Sequence, residues 1–155
     1  MDNWIDPLER LIKDHRDVSE YLENFKEILG FLHEEKAWSE LRPIRDFFER
    51  NVINHFKFEE EVLFPAILSK CATLESIKLI LELQREHGAI LKELEEFQKI
   101  ISESAIPLDK EITERVNIVG RRIIDSILPH ALKEDDRLLP IIEKNRSIFD
   151  KHNII

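Results

Sequence analysis

A chain of 155 residues, 43% hydrophobic and 35% charged with only three glycines, fits one helical domain over residues 1–155 and leaves no length for a second. The formal net charge of −9 excludes nucleic acid and anionic membrane as main partners, since both call for a basic patch. The lone cysteine, Cys71, cannot form an internal disulfide, and neither a leader-like start in residues 1–7 nor a long uncharged apolar run is present, so the expected location is cytoplasmic.

In chain order, Asp6-Pro7-Leu8-Glu9 supplies a helix cap, a proline at the first helical position and an acid at the third. Apolar residues then recur at Leu8, Leu11, Val18, Leu22, Phe25, Leu29 and Leu32 in steps of three and four. His15 takes the one seam position that breaks the series, and the helix is expected to end near His33 or Glu34. A second helix is expected from about Ser39, with Pro43 tolerated in or near its first turn and a seam of Leu41, Ile44, Phe48, Val52, His55, Glu59, Val62 and Ala66. Pro65 should bend or end it between residues 63 and 69, and Thr73 is placed to cap the next helix. The third seam reads Ile80, Leu83, His87, Ile90, Leu94, Phe97 and Ile101, with a loop through Pro107 after it. The fourth, from about Asp109, reads Ile112, Val116, Val119, Ile123, Ile127, His130, Glu134, Leu138 and Ile141. Kinks are expected at Pro129 and Pro140, a short helix or turn over residues 141–149, and a loosely held tail.

Four amphipathic helices on short connections predict an all-α, antiparallel up-down-up-down four-helix bundle. Two segments of the chain echo one another. His55-Phe56-Lys57-Phe58-Glu59-Glu60-Glu61-Val62-Leu63-Phe64-Pro65 and His130-Ala131-Leu132-Lys133-Glu134-Asp135-Asp136-Arg137-Leu138-Leu139-Pro140 share a His, a Glu four places on and a closing Pro. Positions i and i+4 lie on one helical face, so each segment aims an imidazole and a carboxylate at one point. At about 1.5 Å of rise per residue, and with alternate helices running in opposite directions, His15, His55, Glu59, His87, His130 and Glu134 fall at one level within a turn or two.

Burying such groups unpartnered costs several kcal/mol for each carboxylate, against a total stability of about 5–15 kcal/mol. A metal removes that cost, and two carboxylates can bridge a pair of metals. Mixed imidazole and carboxylate donors suit iron first, then manganese or zinc. A lone seam histidine is most often a satisfied core residue, but four at one level, two with Glu at i+4, reverse that expectation. Glu60, Glu61, Asp135 and Asp136 read as a solvated face, with one of them a candidate to supply a missing ligand or to accept a hydrogen bond from a ligand. Asp14 and Glu86 are set aside, because neighbours in sequence point to different faces. His33 and His152 read as surface residues and Cys71 as an inert thiol in a turn. Phe56, Leu63, Leu91 and Leu138 read as bundle packing.

The order His, His-x3-Glu, His, His-x3-Glu on four helices resembles the hemerythrin-like, or HHE cation-binding, domain family over nearly the whole chain. The resemblance implies a di-iron centre in which one iron takes His15 and His55, the other takes His87 and His130, and Glu59 and Glu134 bridge them. It implies a protein that binds or senses oxygen, nitric oxide or iron, so the expected partner is a small diatomic ligand. An alternative within the family is a di-iron oxidoreductase of oxidative or nitrosative stress defence or iron-centre repair. A third reading is a bundle whose metal only stabilises it. Oxygen-carrying hemerythrins have a fifth histidine one turn from the third-helix ligand; here Leu83 and Leu91 occupy those places, which implies a more open coordination sphere at one iron.

Overall fold

The computed structural model describes residues 5–103 and 110–150. The first helix spans Pro7–Leu29, and the Asp6 carboxylate accepts the Leu8 N–H at 3.1 Å, as the capping residues required. It stops short of the expected end. Gly30 and Phe31 close tight turns onto the Glu27 and Ile28 carbonyls, and the Trp38 indole N–H donates to the Leu32 carbonyl at 2.7 Å. With Trp38 pinning that corner, the second helix begins at Glu35 rather than near Ser39, so Pro43 lies inside it rather than in its first turn.

The second helix runs unbroken over residues 35–70, but two wide π turns, Phe48–Val52 and Glu59–Leu63, interrupt its α geometry. Pro65 does not end it. The Phe64 N–H reaches back five residues to the Glu59 carbonyl, which loosens the ladder just ahead of a proline that has no N–H to contribute. The fourth helix repeats the device over residues 110–144. It passes through Pro129, and the Leu139 N–H bonds to the Glu134 carbonyl ahead of Pro140. The π turns ahead of Pro65 and Pro140 each start at the glutamate of a His-x3-Glu motif, so the repeat in the sequence is a repeat in the backbone.

The extra residue in these turns shifts the buried face by one. The seam expected at Val62 and Ala66 is carried instead by Leu63 and Ile67, and that expected at Ile141 by Ile142; all three are fully buried. The third helix, Leu74–Glu103, opens on a reciprocal cap in which the Ser76 N–H donates to Thr73 Oγ1 at 3.0 Å and the Thr73 N–H to Ser76 Oγ at 2.8 Å. A short 3₁₀ turn, Arg146–Phe149, follows the fourth helix. The expected helix start at Asp109, the loop centre at Pro107 and the tail with His152 lie outside the described residues.

The core divides into two clusters. One joins Leu8 and Leu11 of the first helix to Leu63, Phe64 and Ile67 of the second, Leu79 to Leu83 of the third and Leu138 and Ile142 of the fourth. The other joins Val18 to Leu29 of the first to Leu41 to Phe56 of the second, Ile90 to Ile100 of the third and Val116 to Ile127 of the fourth. The start of each odd helix therefore packs on the end of each even one, which is the antiparallel up-down-up-down bundle. Between the clusters lies a single polar layer. No described helix is long and apolar enough to cross a membrane.

Two glycines separate packing from propensity. A methyl on Gly120 would come within 2.8 Å of Leu29 Cδ1 and 2.9 Å of Phe25 Cζ, where the first and fourth helices touch, whereas one on Gly88 would meet nothing within 4 Å. Gly88→Ala should raise the unfolding free energy by about 0.5–1 kcal/mol through helix propensity. Gly120→Ala should lower it by about 1–2 kcal/mol, because overpacking outweighs the same gain. Urea unfolding midpoints of the two variants check both signs.

Candidate metal centre

The polar layer contains all six residues that the sequence placed at one level. His55, Glu59, His87, His130 and Glu134 are buried, and the His15 ring is nearly so. Glu59 Oε1 lies 3.0 Å from His55 Nε2 and 3.3 Å from His87 Nε2. Glu134 Oε1 lies 3.1 Å from His15 Nε2, 3.4 Å from His130 Nε2 and 3.7 Å from His55 Nε2. Glu59 thus touches histidines of the second and third helices, and Glu134 histidines of the first, second and fourth. The donor atoms fall into two groups within 4.8 Å: Glu59, His87, His130 and Glu134 in one, and His15, His55 and Glu134 in the other.

The outer edges of the rings explain which atoms point inward. His15 Nδ1 is 2.6 Å from Asp135, His55 Nδ1 2.7 Å from Asp14, His87 Nδ1 2.9 Å from Glu60 and His130 Nδ1 2.8 Å from Glu86. An ionised carboxylate only accepts, so each Nδ1 carries the hydrogen and donates it outward. A neutral ring then presents a bare lone pair at Nε2, and all four Nε2 atoms face carboxylate oxygens across the layer. Lone pair against lone pair is repulsive unless a positive charge sits between them. In keeping with this, His55 Nε2, His87 Nε2, His130 Nε2, both oxygens of Glu59 and Glu134 Oε2 are buried without a hydrogen-bond partner. The residues fit bound metal: cations at the two donor groups would give these buried atoms partners.

These contacts correct the reading of the flanking acids. Asp14 and Glu86, set aside because sequence neighbours face apart, and Glu60 and Asp135, taken as solvated, each hold a histidine of the adjacent helix. The 100° step from a ligand to its neighbour leads away from the bundle axis but into the groove where the next helix presents the back of its imidazole. The signal was present in the sequence: an acid stands directly beside His15, Glu59, His87 and Glu134.

Aromatic cover is uneven. Phe56 stacks on His87 with ring centroids 4.0 Å apart, and Phe64 lies on the His87 ring at 5.9 Å and 15°. Leu63 and Leu138 are in the core as expected, whereas Leu91 is 37% exposed and packs no part of the site. Leu83 is fully buried one turn from His87. His33 lies on the surface, 3.8 Å from Glu34. Cys71 caps the second helix, and burial pushes its thiol pKa up, in accord with an inert thiol.

Without metal, the layer holds its charge with protons. Burial acts to lower the His55 pKa, but the Glu59 charge and the hydrogen bond to Asp14 outweigh it and raise it to about 9. Burial acts to raise the Glu59 pKa, but His55 and His87 hold it down at about 2. Burial and then the neighbouring His87 lower His130 to about 4, and burial, then His55, lowers His15. The sign of the linkage follows. From about pH 4 to about 6.5 the unfolded chain binds more protons at the position of His130, so stability rises with pH. From about pH 6.5 to about 9 the folded chain keeps the His55 proton that the unfolded chain loses, so stability falls with pH. Thermal melts of metal-free protein should therefore peak near pH 6.5; a melting temperature still climbing at pH 8 would contradict the His55 assignment.

The family model described as Hemerythrin HHE cation binding domain matches residues 6–142. No curated protein and no solved structure matches significantly.

Proposed function

The chain belongs to the family of the hemerythrin HHE cation binding domain, and on that premise we propose that it is a non-haem di-iron protein that binds or senses oxygen, nitric oxide or iron. The observation that carries this reading is the buried layer of inward-facing Nε2 and carboxylate atoms without partners. In it, His15 and His55 would hold one iron, His87 and His130 the other, and Glu59 and Glu134 would lie between them. Bound iron supplies redox change and affinity for small ligands.

The chain's own residues do the rest. The two apolar clusters above and below the layer keep bulk water away from it, and Phe56 and Phe64 close the side next to His87. Leu83 and Leu91 stand where a further histidine would complete the ligand set, and neither side chain can donate to a metal. Because all six ligand residues are buried or nearly so, a diatomic molecule fits the site better than a larger substrate. We place this role in the cytoplasm, in keeping with a chain whose single cysteine pairs with no other.

The test is the visible spectrum of iron-loaded protein as oxidised, reduced, oxygen-exposed and nitric-oxide-exposed samples. Bands that bleach on reduction and change with a diatomic ligand are expected. Multiple turnover with peroxide would move the assignment to an oxidoreductase of stress defence. Tightly held zinc or manganese with no redox or ligand response would move it to a structural metal.

A further inference from the structure

The four outer carboxylates form a closed ring. Asp14 of the first helix holds His55 of the second, Glu60 of the second holds His87 of the third, Glu86 of the third holds His130 of the fourth, and Asp135 of the fourth holds His15 of the first. Every helix therefore orients one imidazole on the next and receives the same service from the one before.

Resting on the reading of the layer as a two-metal centre, we propose that Asp14, Glu60, Glu86 and Asp135 are positioning residues that preset the imidazoles, and that they rank the two positions, with His87–His130 taking metal more tightly than His15–His55. A ring held by its own Cβ and by a short Nδ1–H bond cannot swing, and its Nε2 stays aimed without the entropy cost of ordering it on loading.

The ranking comes from how firmly each carboxylate is itself held. Glu60 accepts a second hydrogen bond, from Gln84 Nε2 at 2.9 Å. Glu86 also accepts from Lys133, which is in turn 3.6 Å from Glu82. On the other side, Arg10 stands 3.7 Å from Asp14, beyond hydrogen-bonding distance. His87 is fixed further by Phe56 and Phe64, while the His15 ring meets His55 edge-on at 5.2 Å. The donor groups differ in the same sense: four residues converge at the His87–His130 position and three at the other.

The experiment is an anaerobic titration of the metal-free full chain with Fe(II), read with a competing chromophoric chelator. The wild type should show a tight step and a weaker one. Glu60→Ala and Glu86→Ala should weaken the tight step by about 10–100-fold. Asp14→Ala and Asp135→Ala should weaken the other and leave the tight step as it was. Glu60→Gln, whose carbonyl oxygen can still accept the His87 Nδ1 hydrogen, should recover most of the loss.

A second readout needs no metal. Imidazole ¹⁵N spectra of the metal-free chain should show a hydrogen on Nδ1 at all four layer histidines, lost in each alanine variant only at the ring that its carboxylate held. Wild-type isotherms in all four alanine variants, or equal weakening of both steps, would overturn the ranking; wild-type tautomers in all four would overturn the positioning role. Two irons bound by the wild type and lost in Glu59→Ala, with unaltered ring variants, would sink this proposal alone. A wild type that takes up no iron would sink the di-iron reading.

Discussion

Protein carrying Glu59→Ala is expected to hold at least about tenfold less iron than the wild type after identical loading, with its helical circular dichroism unchanged. Glu59 touches His55 at 3.0 Å and His87 at 3.3 Å and is fully buried. Its loss therefore strips a donor from both positions. His55→Ala should have a similar effect, because His55 Nε2 approaches both Glu59 and Glu134. The helices persist because neither residue belongs to the apolar clusters, which pack independently above and below the layer. Full iron retention in both variants would show that the layer is not the metal site.

Removing metal from the wild type should have the other large effect. A ligand that binds only the folded chain, present at 1,000 times its dissociation constant, adds about 4 kcal/mol. For a chain of this size that corresponds to a fall in melting temperature of roughly 8–16 °C when the metal is chelated. The physical source is the layer itself, where six buried atoms have no hydrogen-bond partner and the histidine Nε2 atoms crowd carboxylate oxygens. Glu59→Ala provides the control, since its melting temperature should hardly respond to chelator. A wild-type melt that chelation leaves unchanged would mean that protons alone neutralise the layer.

The six layer residues were legible in the sequence because helical periodicity is a global property of each segment. A histidine or glutamate on an otherwise apolar seam must point inward wherever the helix starts or ends. The same reasoning carried the bundle and its alternating directions. Boundaries were less legible. The first helix ends at Leu29 because a tight turn and the Trp38–Leu32 hydrogen bond intervene, and a seam that continues to Leu32 cannot reveal either. The prolines misled for a related reason. Pro65 is expected to bend or end its helix and Pro140 to kink its own, but the π turns ahead of them carry both helices through and shift the buried seam to Leu63, Ile67 and Ile142.

Asp14 and Glu86 were missed on a geometric shortcut. Residues i and i+1 do face apart, but in a four-helix bundle the direction 100° from the axis is the groove to the next helix. An acid there is hidden from a single-helix projection and visible only once the neighbour is in place. The two His-x3-Glu motifs each carry such an acid, Glu60 and Asp135, on the C-terminal side of the glutamate, and the lone seam histidines carry theirs, Asp14 and Glu86, on the N-terminal side. That regularity is the sequence signature of the ring.

The most direct test of the account is the metal content of protein purified from iron-supplemented cells, determined together with protein concentration by amino-acid analysis. The account predicts about two irons per chain, with near-ultraviolet bands that bleach on reduction. A chain that carries no metal, or a single zinc without redox response, would contradict it.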